Sequence, residues 1–293
     1  MTQLPPRDFA FLIVINLIWG FNLISSKVGV DHFPPIFFTT LRFTLLSAVL
    51  LPFLRWHAGR MQQLLVASVL SGGLQYAVLL VGIREATDVG SVAIAQQLGV
   101  PFTTLLSILF LNEVVRWRRG LGIALAFAGV AVIAFEPSVF AERTGLALVV
   151  ASALIGSVGL VAVKRLGTQL KPLELQAWFA VSGLPVLWLL TAWLETGQRE
   201  AVATATLRDW GTVLFTALVS SLIAHTGYYW LIRRHPVTSL SPLTTLSPVF
   251  GVTFGVVLLN DALTARILVG GVLTLVGVTI ISMREQRFVD TGS

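Results

Sequence analysis

Residues 109–130 read LFLNEVVRWRRGLGIALAFAGV, and residues 257–278 read VLLNDALTARILVGGVLTLVGV. The two align without a gap at an offset of 148 residues. Leu111, Asn112 and Glu113 fall against Leu259, Asn260 and Asp261. Arg118, Gly122, Leu125, Gly129 and Val130 fall against Arg266, Gly270, Leu273, Gly277 and Val278. A fainter echo sets Lys27 and Pro35 opposite Lys164 and Pro172, at an offset of 137. The difference is close to the extra length of the loop ETGQREAVATATLRD, residues 195–209. The chain is therefore expected to hold one unit twice, in residues 1–137 and 138–293.

Composition says what solvent that unit needs. Of 293 residues 55% are hydrophobic and 12% charged, about half the charged fraction of a soluble domain. This much apolar surface calls for lipid, so the class is an all-α, polytopic membrane protein. The chain contains no cysteine, which excludes disulfides and thiolate metal sites. One Arg precedes a long apolar run with no A-x-A pattern after it, so the first span is expected to be retained. Lys/Arg runs interleaved with aromatics are absent, which argues against nucleic acid despite a net charge of +6.

A crossing takes roughly 20 apolar residues. Ten segments qualify: 9–27, 36–54, 62–83, 89–111, 119–135, 145–164, 173–194, 210–232, 238–259 and 266–283. Thirteen of the 20 basic residues fall in the even-numbered loops and the termini, and six in the odd loops. Basic residues favour the cytoplasmic side, so both termini are expected in the cytoplasm. Ten spans in two units give five each. A second copy of an odd-membered unit enters the membrane from the opposite face, so the units are expected to be inverted repeats. Such repeats recur in secondary transporters, with the substrate site near the midplane between them. Two similar halves that can exchange shapes convert an inward-facing cavity into an outward-facing one.

The echoed segments themselves read as structural. Glu113 with Arg118, and Asp261 with Arg266, flank a tight helix hairpin and could pair across it. Gly122 and Gly129 share a helix face, as do Gly270 and Gly277, and small residues let helices approach closely in lipid.

Polar residues inside spans are costly and each needs a partner or a cavity. Asn16 and Trp19 lie near one face of the first span. Arg42 sits about 9 Å from the outer end of the second, within reach of the interface or of local carbonyls. Tyr76 is in the third. Gln96 and Gln97 precede Pro101 in the fourth, and the proline frees a carbonyl. The two amides either contact a ligand or bond neighbouring helices. The ninth span reads SLSPLTTLSPVF, residues 239–250, broken by Pro242 and Pro248 among Ser241, Thr244 and other hydroxyls. Broken spans in corresponding places of two halves point to a transporter's binding site. His225 and Tyr228 lie in the eighth span, and Trp178 in the seventh is expected to face the same space.

No Asp or Glu lies deep in a span. Ion-coupled carriers commonly use a buried carboxylate, so transport down a gradient is the expectation and proton coupling through His225 the alternative. An intramembrane enzyme would need a nucleophile–base pair or a metal cluster; neither is found. No catalytic residue, metal or cofactor is assigned, and a structural helical bundle is the remaining non-transport reading.

The residues LIWGFN (17–22) in the first span, the Arg of TTLRFTLL (39–46), and the twice-written Leu-x-x-Asn-Glu/Asp block resemble the EamA-type drug/metabolite transporter superfamily, over nearly the whole chain. The resemblance implies a ten-helix exporter in a bacterial inner membrane, most similar to exporters of aromatic and other neutral amino acids. The expected partners are a small-molecule substrate and the bilayer, with the chain acting as a monomer. A multidrug exporter of hydrophobic cations is the alternative within the family. Trp, Tyr, Asn and Gln without a buried charge pair suit a neutral or zwitterionic solute with apolar bulk.

Overall fold

The structure is a computed structural model that describes residues 4–111, 117–141, 143–166, 170–235, 240 and 243–282. Among the described residues there is no strand, and nine helices are long and apolar enough to cross a bilayer. These are α1 (Pro6–His32), α2 (Pro35–Phe53), α3 (Met61–Glu85), α4 (Val89–Leu111), α5 (Trp117–Ala134), α6 (Arg143–Leu166), α7 (Pro172–Leu194), α8 (Leu207–Ile232) and α10 (Ala265–Ser282). A shorter apolar helix, α9 (Leu246–Leu259), precedes α10. The expected spans coincide with these helices to within a few residues, except that the ninth is described only from residue 243. Ser241, Pro242, Asn112 and Glu113 lie outside the described residues.

Local chemistry sets the helix ends. Prolines occupy the first turns of α1, α2 and α7, where a missing N–H costs nothing. Asp88 caps α4 by accepting from the Ser91 N–H at 2.6 Å. Thr206 and Asp209 cap α8 reciprocally. Asn260 ends α9 in the left-handed conformation, φ 60°, which Asn tolerates well.

Large apolar side chains point outward as well as inward, as a bilayer requires. Leu109, Leu189, Val257 and Val272 are exposed along the helices. Trp56 and Trp117 are exposed at one end of the bundle and Trp193 at the other, where indoles sit at membrane–water interfaces.

Inside, the helices pack as α1 on α9 and α4 on α6, α1 on α8 and α3 on α6, α2 on α7, and α5 on α10. The α5–α10 contact is antiparallel and backbone-close. A methyl on Gly122 would strike the Gly277 carbonyl and one on Gly277 the Gly122 carbonyl, and the same holds for Gly129 and Gly270. The four glycines therefore make close approach possible, as their spacing implies.

One expectation from the hairpin is corrected. Asp261 and Arg266 do not pair. Asp261 instead accepts from the Val89 N–H at 2.7 Å, at the start of α4, and Arg266 donates to the Phe135 carbonyl at the end of α5. A carboxylate at a helix N-terminus satisfies orphan donors and the helix dipole together. That outcompetes a surface ion pair, which is worth little.

Three helices depart from α geometry within their length. α3 widens to a π-helix over Val69–Leu74 and α8 over Phe215–Ala224. α4 tightens to a 3-10 turn over Gln96–Leu98, just before Pro101, whose missing N–H leaves the Gln97 carbonyl without its ladder partner.

Candidate functional site

The irregular segments converge. A cavity of about 680 Å³ runs into the bundle, and a second of about 270 Å³ continues from it. Both are lined by Trp19, Gln75, Tyr76, Gln96, Gln97, His225 and Ser247. The larger reaches the end of the bundle that carries Arg119, Lys164 and Ser282. The smaller is its inner recess, lined also by Asn22, Ser26, Arg42 and Pro248.

Beyond the recess the other end is sealed. Phe33, Phe38 and Ile83 are buried there. Lys27 Nζ donates to the carbonyls of Ile83, Arg84 and Ala86 at 3.0–3.2 Å, capping α3 with a cation. The Glu195 carboxylate accepts from the N–H groups of Ile36 and Phe37 at 2.7 and 2.8 Å, holding the start of α2. Asp88 lies in the same sealed layer, and burial pushes its carboxyl above the usual range, with Asp261 and Glu136 adding to the effect against the opposing Ser91 hydrogen bonds.

The recess has a specific polar floor. Arg42 is 3% exposed and does not reach an interface. Its guanidinium donates from Nε and Nη2 to Ser221 Oγ at 3.2 and 2.7 Å and lies 4.9 Å from the Tyr76 ring centroid. The π-helix of α8 sets this up. Ser221 Oγ donates to the Thr216 carbonyl and His225 Nδ1 to the Ser220 carbonyl, both five residues back. The Ser221 carbonyl accepts from Gln176 Nε2 at 2.5 Å. With Nδ1 protonated, neutral His225 leaves Nε2 as an acceptor. Trp19 packs edge-on against His225 and Tyr228, at centroid distances of 5.2 and 5.3 Å. Among the described residues, four buried atoms of recess-lining residues have no hydrogen-bond partner: Trp19 Nε1, Asn22 Oδ1, Ser26 Oγ and Gln96 Nε2.

Of the residues singled out from sequence, Trp19, Tyr76, Gln96, Gln97, His225, Thr244 and Pro248 line the cavities. Tyr228 stands behind Trp19. Asn16 is buried and donates back to the Leu12 carbonyl at 2.7 Å, within its own helix. Pro101 is buried in α4 outside both linings. Trp178 does not share this space: it packs with Met61, Leu64 and Leu166, and its Nε1 donates to the Arg55 carbonyl at 3.1 Å. Arg42, Gln75, Asn22 and Ser221 enter the lining without having been singled out as site residues.

The EamA-like transporter family profile matches the chain twice, over residues 9–135 and 143–283. The chain belongs to the EamA-like transporter family. It is 27% identical to a probable amino-acid metabolite efflux pump of Salmonella typhimurium, covering 96% of this chain and 97% of that protein. It is 24% identical to a probable amino-acid metabolite efflux pump of Escherichia coli, over 98% and 99% of the two chains. A probable terminal-alkyne amino-acid exporter of Streptantibioticus cattleyicolor is 25% identical over 93% and 92%. A solved crystal structure shares the fold with a TM-score of 0.63 at 18% identity, over 94% of this chain and 96% of the other. The protein is thus a multi-pass membrane transporter of small molecules and not an enzyme.

Proposed function

We propose that the protein exports neutral amino acids, aromatic ones included, and similar small metabolites from the bacterial cytoplasm by alternating access. The observation that carries this reading is the continuous chamber, polar and aromatic at its floor, that opens at one end of the bundle and is sealed at the other. A chamber of this size suits a solute of amino-acid dimensions. The substrate class in the names of the Salmonella and Escherichia relatives agrees with it.

The mechanism rests on two inverted five-helix halves, residues 1–137 and 138–293. Three features support that division. The family profile matches once in each half. Renumbering every helix by five maps six of the packing pairs among themselves: α1–α9 becomes α6–α4, α3–α6 becomes α8–α1, and α2–α7 and α5–α10 map onto themselves, whereas α1–α3 and α4–α10 have no counterpart of like extent. Gly122 meets Gly277 while Gly129 meets Gly270. Since Gly122 and Gly270 are repeat-equivalent, as are Gly129 and Gly277, each contact is the image of the other. A two-fold axis perpendicular to both helices requires this reciprocity. The charge bias orients the open end, with Arg119 and Lys164, toward the cytoplasm, so the conformation is inward-open. Exchanging the shapes of the halves opens the sealed layer instead.

Counterflow of labelled amino acids in proteoliposomes tests the reading, with and without a pH gradient and a potential. Saturable counterflow is expected without either. Uptake of hydrophobic cations and of no amino acid would favour a multidrug exporter.

A further inference from the structure

Arg42 stands out as a full charge in the membrane with no acidic partner among the described residues. Among the described residues its hydrogen bonds go to one hydroxyl, Ser221 Oγ, through Nε and Nη2. A guanidinium has five N–H donors in a planar fork. Among the described residues Nη1 has no acceptor, and Arg42 lines the recess. Charges buried in hydrocarbon are expensive and persist where a partner, backbone or ligand compensates them. Three further donors of the same recess, Trp19 Nε1, Gln96 Nε2 and the Ser26 hydroxyl, are also unpartnered among the described residues. They come from α1 and α4, across the recess from α2. The wall thus offers one positive charge and several donors, and among the described residues no carboxylate lines it.

We propose that the recess is a carboxylate subsite: Arg42 binds the carboxylate of the solute, Trp19 Nε1 and Gln96 Nε2 supply further donors, and apolar bulk extends into the larger cavity. The subsite rests on the transport reading above and narrows it to solutes bearing a free carboxylate. Guanidinium–carboxylate pairing is charge-assisted and directional. A carboxamide, an ester or an amine leaves the cation uncompensated. A site built around one buried cation also repels organic cations, so the subsite accounts for selectivity and not merely affinity. Ser221 acts as a positioning residue, turning the fork toward the recess while the π-helical carbonyl of Ser221 is held by Gln176.

The test is competition against a labelled neutral amino acid on the wild-type protein in proteoliposomes. L-Phenylalanine, L-phenylalaninamide, phenethylamine and 3-phenylpropionate serve as probes. Charge-assisted hydrogen bonds of this kind correspond to roughly tenfold to hundredfold in affinity. The acid is expected to compete at least about tenfold better than the amide and amine. In Arg42→Gln that gap closes because acid binding falls while amide binding holds. Arg42→Lys restores charge without the fork and recovers it in part. Equal competition by acid, amide and amine on the wild type overturns the proposal, as does failure of every carboxylate to bind. Counterflow of phenylpropionate without any amino acid would sink the amino-acid reading and keep the subsite. Counterflow of amino acids with the amide equally effective would do the reverse.

Discussion

At the residue scale, position within the sealed layer decides what a side chain does. Asp88 illustrates the sign. Its carboxyl titrates above its ordinary range when folded, so the folded state holds the proton more tightly than the unfolded chain. Stability from this group is full below the ordinary carboxylate pKa and is lost as pH rises through the raised folded value. Asp88→Asn keeps the cap, because its amide oxygen still accepts from the Ser91 N–H. Thermal melts of that variant in detergent should lose this pH dependence and match or exceed the wild type at neutral pH. Asp88→Ala removes the cap and should cost about 1 kcal/mol. A melt unchanged by Asp88→Ala would show that the cap holds nothing. His225 gives a second prediction. Its Nδ1 is committed to the Ser220 carbonyl, and the reading of transport down a gradient gives it no proton to carry. His225→Ala should therefore change affinity but leave the pH profile of counterflow as it was. A flattened profile would put proton coupling back at this residue.

At the element scale, close helix contacts and broken helices carry the account. Gly120 and Gly122 are two residues apart in α5, yet a Cβ on Gly120 meets nothing within 4 Å while one on Gly122 meets the Gly277 carbonyl at 2.8 Å. Gly120→Ala should be neutral or slightly stabilising, by about 0.5–1 kcal/mol. Gly122→Ala should cost about 1–3 kcal/mol by overpacking. Thermal stability of the two purified variants distinguishes them, and equal melting would contradict the packed α5–α10 contact. The hydropathy pattern makes these helices legible in the sequence, and the glycine spacing marks a face for close approach, but neither shows that the two glycine faces meet each other. The π-helices were not legible, because a 3.6-residue reading has no term for a wide turn. They rotate Ser221 and His225 to where they stand, and with them the floor of the chamber. Trp178 failed for a related reason. α7 is apolar all round, so spacing alone gave no face, and the indole turned to the Arg55 carbonyl instead. From sequence Arg42 is within reach of an interface or local carbonyls; its partner, Ser221, is 179 residues away in sequence.

At the scale of the whole molecule, the claim is geometric: two halves upside-down to one another, with the chamber where they meet. The absence of cysteine makes it directly testable, since each introduced thiol is the only one present. Single cysteines at Ala58, Ser138 and Thr196 all fall at exposed positions between membrane-spanning helices, Ser138 in the short helix Pro137–Ala141. Labelling with a membrane-impermeant maleimide on intact cells is the measurement. Ser138→Cys and Thr196→Cys should react from outside, and Ala58→Cys only after the cells are permeabilised. If Ser138→Cys and Ala58→Cys react from the same side, the halves are not inverted and alternating access by their exchange is ruled out.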